Sequence, residues 1–190
     1  RANVIFETTK LLEVSPHLFG GSVIYGNLIL PSSITEVREN AFYALIVNGN
    51  IDFGNSNFKV EPSAFDNVIV SGDIKLGNVE TIEEYAFQYA SVRGNIDLGN
   101  NLKYLGTGAF YGVTMEKGNI VIPGSLESIG SYAFEDCSSL TSVEIPDSVT
   151  SIDGYAFSGC SSLTSITIPE GVTSIGQYTF SDCKNLIAIA

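Results

Sequence analysis

A phenylalanine returns along this chain of 190 residues at Phe19, Phe42, Phe65, Phe87, Phe110, Phe134, Phe157 and Phe180, at intervals of 23, 23, 22, 23, 24, 23 and 23 residues. A repeat this regular constrains the fold more than any other feature. A unit of 23 residues cannot close a core of its own without disulfides or metal. Eight separate beads are therefore excluded, and the units must stack and share one core.

Other columns keep the same beat. Five residues before each marker stands Val14, Val37, Val60, Ile82, Leu105, Ile129, Ile152 or Ile175, all branched and apolar. The residue directly before it is Leu18, then alanine from Ala41 to Ala156, then Thr179. Eight residues before it, only Asn57 breaks an apolar column. Each unit then carries an alternating apolar pair, such as Ile51/Phe53, Ile74/Leu76 or Val143/Ile145. Period two reads as a short strand with one buried face. The segment around Ala133-Phe134 reads as a short helical or 3₁₀ turn, and Val149–Ile152 as a second extended piece. The predicted fold class is a β-rich α/β solenoid of about eight 23-residue coils, with short parallel strands and short helical turns. It forms one domain over residues 1–190, looser over 1–123 and regular over 124–190.

The last three units read LESIGSYAFEDCSSLTSVEIP, VTSIDGYAFSGCSSLTSITIP and VTSIGQYTFSDCKNLIAIA. These columns resemble the BspA-type leucine-rich repeat, a 23-residue class found mostly in bacterial and some protist surface proteins. The match is strong over 124–190. In the earlier units the leucine of the strand motif (Leu140, Leu163, Leu186) gives way to Asn48, Ser71 or Arg93. Val47, Val70 and Val92 are expected to supply the apolar contact from a shifted position, with a differently bent approach to the strand. The resemblance implies a right-handed leucine-rich-repeat-like superhelix in a secreted or cell-surface protein that binds other proteins.

Charge narrows the partner. Lys and Arg number 9 against 21 Asp and Glu, a net of −12, while 44% of residues are hydrophobic. A disordered acidic tail is excluded. Nucleic acid and an anionic membrane both call for a basic surface, and no apolar run has the length of a membrane span. Residues 124–190 hold 8 acidic and 1 basic residue, against 13 and 8 in residues 1–123. No NxS/T sequon occurs, which favours a bacterial over a eukaryotic secretory origin. The chain opens at Arg1 without a signal peptide and stops at Ala190 inside a strand pair. It reads as a mature or cut form, whose repeat continues or whose edge pairs with another molecule.

The residues with chemistry in them are few. Cys137, Cys160 and Cys183 share a column with Leu45, Val68, Ala90 and Val113. That column reads as interior, so the cysteines read as buried free thiols. A disulfide would leave one over, and a metal site lacks CxxC or histidine partners. Gly106, Gly108 and Gly112 follow GxGxxxG rather than GxGxxG, and mark coil turns, not a phosphate loop. The single histidine, His17, has no nucleophile at a repeat-related position, and neither GxSxG nor HExxH occurs. No catalytic, cofactor or metal residues are expected, and the chain is not expected to be an enzyme.

Two surface features remain as candidate sites. Tyr85 shares a column with Tyr132, Tyr155 and Tyr178, and the last three are expected to stack. They act either as a cap on the core edge, which is preferred, or as an aromatic contact surface. The outward strand column holds Asp52, Lys75, Asp97, Val121, Glu144 and Thr167, beside Asn50, Asp73, Asn95, Asn119, Ser142 and Ser165. It suits either register support between charges of alternating sign or a polar recognition face. Glu36, read as lying in a turn away from the strands, is the contrast to Glu144. The expected function is non-catalytic binding of a protein, such as a host extracellular-matrix or another cell-surface protein. The alternative is a structural spacer that projects another domain from the cell surface.

Overall fold

Each coil uses strands of two or three residues to pair with the coil before and after it. The computed structural model describes residues 3–6, 10–117 and 119–190. All strand pairs in it are parallel and in register, unit to unit. Ladder A joins Val4–Ile5, Leu28–Ile29, Ile51–Asp52, Ile74–Lys75, Ile96–Asp97, Asn119–Val121 and Ser142–Glu144. A bridge from Glu144 to Thr167 carries its line on to Ser165–Ile166 and Ala188–Ile189. Ladder B joins Glu13–Val14, Glu36–Val37, Lys59–Val60, Thr81–Ile82 and Tyr104–Leu105. Ser128–Ile129, Ser151–Ile152 and Ser174–Ile175 occupy the same place in the later coils. The result is a parallel β-solenoid of about eight coils.

A third ladder, C, joins Val23–Ile24, Ile46–Val47, Ile69–Val70, Ser91–Val92 and Thr114–Met115. It accounts for the bent approach expected in the first half. Val47, Val70 and Val92 point inward and are fully buried, as the shifted contact required. The ladder stops at Met115, whose N–H donates to Ser139 Oγ at 2.8 Å. From there Cys137 with Leu140, and Cys160 with Leu163, fill the same side of the core.

The interior follows the marker column. The eight phenylalanine rings form one stack, with centroids 4.5–5.9 Å apart. Beside it, Phe53 and Phe58 stack on each other at 4.5 Å, and Phe53 meets Phe42 and Phe65 edge-on. Phe58 thereby takes the interior place that Asn57 leaves, and Asn57 is exposed. The alanines Ala41 to Ala156 are buried against the stack, whereas the larger Leu18 is pushed outward. Buried apolar residues from Val14 to Ile166 form one connected cluster.

The expected helical turns are absent: among the described residues there is no helix. Hydrogen-bond direction explains it. In an α-helix every interior N–H bonds four residues back. Here alternate N–H groups do different things. Ala41, Tyr43 and Leu45 close tight turns onto Arg38, Asn40 and Phe42, at 3.0–3.1 Å. Phe42 and Ala44 instead donate across to Ala64 and Asp66 of the next coil, at 2.8 and 2.9 Å. To alternate in this way the chain enters the left-handed region twice per coil. The residue two before each marker has φ of 53–60°, and the residue two after it 52–71°. The short segment is a double turn locked to its neighbour, not a helix.

Candidate binding face

Ladder A brings one set of expected site residues into line. Its register sets Asp52 beside Lys75, Lys75 beside Asp97, Asp97 beside Val121 and Val121 beside Glu144, with Thr167 bridged to Glu144. All point away from the core, and Val121 is 69% exposed. The alternating signs do not produce ion pairs. Asp52 and Asp97 turn a carboxylate oxygen back to accept the N–H of Gly54 and Gly99, at 2.7 and 2.9 Å. Lys75 makes no ion pair with either flanking aspartate, so its ammonium group stays available.

The neighbouring polar column does structural work instead. Asn27 Oδ1 accepts the N–H of Asn50, Asn50 Oδ1 that of Asp73, and Asp73 Oδ1 that of Asn95, at 2.8–2.9 Å. Asn119 Oδ1 accepts from Ser142 Oγ at 2.8 Å. This chain of carbonyl and carboxylate oxygens satisfies backbone donors at the turn into ladder A. It also explains the glycine before each member: a Cβ on Gly72 would lie 2.8 Å from Gly49 O. Alternation along the strand gave no sign of this ladder, but the recurring Gly-Asn and Gly-Asp pairs could have.

The face is not flat. One depression of about 480 Å³ is lined by Asp73, Lys75, Asn95, Asp97, Asn119 and Val121. A second, of about 420 Å³, holds Asp52, Asn55, Asn78 and Asn100 and shares Lys75 and Asp97 with the first. Together they run as a shallow polar groove across the middle coils.

The tyrosines lie elsewhere, at the corner that follows ladder B and its continuation in the later coils. Tyr132, Tyr155 and Tyr178 stack with centroids 5.0 Å apart, at interplanar angles of 16° and 26°. Tyr85 does not join them. Gly108 stands between, and a side chain there would run into the Tyr85 ring. Tyr85 and Tyr89 instead meet Tyr111 edge-on, at 6.4 and 5.4 Å. The Tyr111 hydroxyl donates to Asp136 at 3.2 Å. Its pKa is pushed up to about 12, by burial first and then by Tyr89 and Asp136.

Glu36 needs correcting. It is in the strand Glu36–Val37 of ladder B, not in a turn away from the strands. There Arg38 gathers Glu13, Glu36 and Glu61 from three coils, each at 3.0 Å. The three cysteines are free. Each Sγ donates to the carbonyl of a marker phenylalanine one coil back (Phe110, Phe134 and Phe157), at 3.1 Å. Burial pushes the Cys137 thiol up to about 12 and raises Cys160 as well. Cys183, in the last coil, is half-buried. Among the described residues no group of three or more His, Cys, Asp or Glu side chains could hold a metal ion. His17 is exposed.

The sequence profile of the BspA type leucine rich repeat region matches six copies here, over residues 12–121 and 114–190. The chain belongs to the BspA-type leucine-rich repeat family. Solved bacterial proteins share the fold. A leucine-rich repeat protein from Bacteroides ovatus is 25% identical, with a TM-score of 0.66 over 95% of this chain. The T. pallidum leucine-rich repeat protein is 27% identical, with a TM-score of 0.67 over 85% of this chain and 78% of its own. A leucine-rich cell surface protein from Faecalibacterium prausnitzii is 26% identical, with a TM-score of 0.54 over 94% of this chain. This BspA-type chain spans about two-fifths of the Bacteroides and Faecalibacterium proteins, 41% and 42%. No curated protein sequence matches it significantly. No helix among the described residues is long and apolar enough to cross a membrane.

Proposed function

We propose that the 190 residues act as one non-catalytic, protein-binding domain of a secreted or cell-surface bacterial protein, and that ladder A is its recognition face. The observation that carries this reading is the groove in which Lys75 stays unpaired between Asp52 and Asp97. Outward charges that serve register would pair with each other. A lysine left available, beside the side-chain amides of Asn95 and Asn100, suits a polar partner. Asp97, Glu144 and Thr167 extend the face, and the acidic excess over 124–190 steers a basic partner towards that end. The Tyr132/Tyr155/Tyr178 stack is on another side of the coil. It caps the core edge, and its exposed ring edges offer a lesser contact surface. The cell-surface description of the Faecalibacterium protein supports the location.

The test presents immobilised collagen, fibronectin and laminin, representing host extracellular matrix, to the wild-type chain and two variants. Glu144→Lys should weaken binding about fivefold at low salt. Glu127→Lys, exposed but away from ladder A, should have the smaller effect, through long-range steering alone. Equal effects of the two substitutions, or no binding to any matrix protein, would overturn the reading and favour a spacer.

A further inference from the structure

Ladder C exposes an apolar strip that its own fold does not require. Its outward column runs Val23, Ile46, Ile69, Ser91, Thr114, each paired in register with the next. Val23 is 45% and Ile69 47% exposed, with Ile46 half-buried between them. Ser91 and Thr114 hold the same backbone position in the same ladder. The position therefore accepts small polar residues, and three adjacent β-branched apolar residues are an excess. Contiguous exposed apolar surface of this kind marks a contact site.

A second outward column lies beside the first. Asn48, Ser71, Arg93 and Glu116 follow Tyr25 in it, each hydrogen-bonded one coil back. Tyr25 is 66% exposed. With Asn48, Ser71 and Arg93 it lines a depression of about 340 Å³. Arg93 carries the positive charge of this face. Its guanidinium group reaches Glu116 only at 3.8 Å, with the two side chains 75% and 71% exposed. An exposed pair of that length is weak, and a guanidinium group prefers two short bonds to one carboxylate.

The size of the patch limits its occupant. Five strands about 4.8 Å apart, two outward columns wide, present roughly 300 Å². A stable dimer buries about 800 Å² on each partner, so a second copy of this chain is too large an occupant. An extended segment of about eight residues, at about 3.3 Å each, matches the length.

We infer that the outer face of ladder C binds an extended segment of another protein that lays apolar side chains along Val23, Ile46 and Ile69 and sets a carboxylate on Arg93. The site is separate from ladder A and does not rest on the function proposed there.

The test uses a fluorescent, N-acetylated peptide, Val-Thr-Val-Thr-Val-Thr-Asp-Asp, and a twin ending Lys-Lys, titrated with the full chain. The net charge of −12 favours the lysine twin, so a tighter grip on the aspartate peptide isolates Arg93. Val23→Thr and Ile69→Thr should each weaken the aspartate peptide about five- to tenfold. Both variants should fold, because threonine already stands in the column at Thr114. Arg93→Glu should reverse the preference between the twins, and Glu116→Gln should tighten the aspartate peptide by freeing Arg93. Three outcomes overturn the inference: equal binding of the twins, no loss in Ile69→Thr, or a loss in Lys75→Glu, which would place the peptide on ladder A. A dimer in sedimentation that dissociates in Ile69→Thr would make a second copy the occupant and overturn it too.

Discussion

The coils before Ile122 and those after it share the phenylalanine stack but close their third side differently. In the first part that side is ladder C, which buries Val47, Val70 or Val92. In the second it is a turn, which buries Leu140 or Leu163 after Cys137 or Cys160. In the first part Leu45, Val68, Ala90 and Val113 stand where the cysteines stand later, and they are buried too. What differs is whether the next few residues bond across to the neighbouring coil or fold back on themselves. Backbone donors must be satisfied either way. A strand does so while leaving outward columns free to vary, which is how Val23, Ile46 and Ile69 come to be exposed. A Cys-Ser-Ser-Leu turn spends its polar atoms on itself, as in Ser138 N–H to Asp136 O at 2.7 Å and Leu140 N–H to Cys137 O at 2.9 Å. The regular coils are therefore the plainer ones, and the looser coils carry the more varied surface.

The largest expected effect tests what the two parts share. Phe65→Ala and Phe134→Ala should each cost about 3–5 kcal/mol in chemical denaturation, as buried aromatic truncations do. Phe65 should be at the upper end, since its ring meets Phe42, Phe53 and Phe87 at 4.8, 5.9 and 4.5 Å. Phe134 meets only Phe110 and Phe157, at 5.4 and 5.3 Å. Losses under about 1 kcal/mol would mean exposed rings and a wrong register.

The next separates the parts. Gly72→Ala should destabilise by about 1–3 kcal/mol, because the new Cβ meets the Gly49 carbonyl and the oxygen ladder through Asn50. Gly124, in the regular part, has open space and no positive φ. Gly124→Ala should be neutral or stabilise by up to about 1 kcal/mol, through the unfolded chain. A similar loss at both sites would mean that the ladder is no special feature of the looser coils.

These contrasts show what was readable in the residues. The core was, since Phe, Ala and the branched column recur once per coil and are buried from the second coil to the seventh, while Phe19, Phe180 and Ile175 are more open in the end coils. So was the interior place of the cysteines, from Leu45 and Val68 above them. The helical turn was misread because Ala-Phe flanked by small residues looks the same whether its N–H groups run along the chain or across to a neighbour. Tyr, His and Ser in the left-handed region give no warning either, since glycine and asparagine are the usual occupants. On ladder A the alternating charges were visible, but that Asp52 and Asp97 bend back onto Gly54 and Gly99 depends on turn geometry. Ladder C escaped notice because the outward Ile46 and Ile69 turn Leu45–Val47 and Val68–Val70 into unbroken apolar runs, which hide a period of two.

The cysteine column should separate the parts by pH. A buried thiol with a raised pKa keeps its proton in the folded chain and loses it more readily when unfolded. Its stabilising effect is complete below the ordinary thiol pKa of about 9 and is lost as pH rises towards the folded value, which for Cys137 is about 12. Denaturation midpoints should therefore fall between about pH 9 and pH 12. Cys137→Val should flatten part of that fall, since Val68 and Val113 already fill the column. An unchanged slope, or fast reaction of native Cys137 with a thiol reagent, would place the sulfur in solvent.

The smallest effect concerns the left-handed position two residues before each marker. Ser63 and Tyr132 hold it with φ of 55° and 60°. A non-glycine residue there costs about 1–2 kcal/mol, and glycine returns roughly 0.5–1 kcal/mol of that as unfolded-state entropy. Ser63→Gly should thus stabilise the looser part by about 0–1.5 kcal/mol. Tyr132→Gly relieves the same backbone strain but removes a ring stacked on Tyr155 at 5.0 Å. An aromatic pair contributes about 0.5–1.5 kcal/mol beyond its buried area, so this variant should be neutral or destabilised. If both glycine variants gained equally, the tyrosine stack would contribute nothing to the coil edge. Its three rings would then be kept for contact with a partner, and the second surface would move from a cap on the core to a site in its own right.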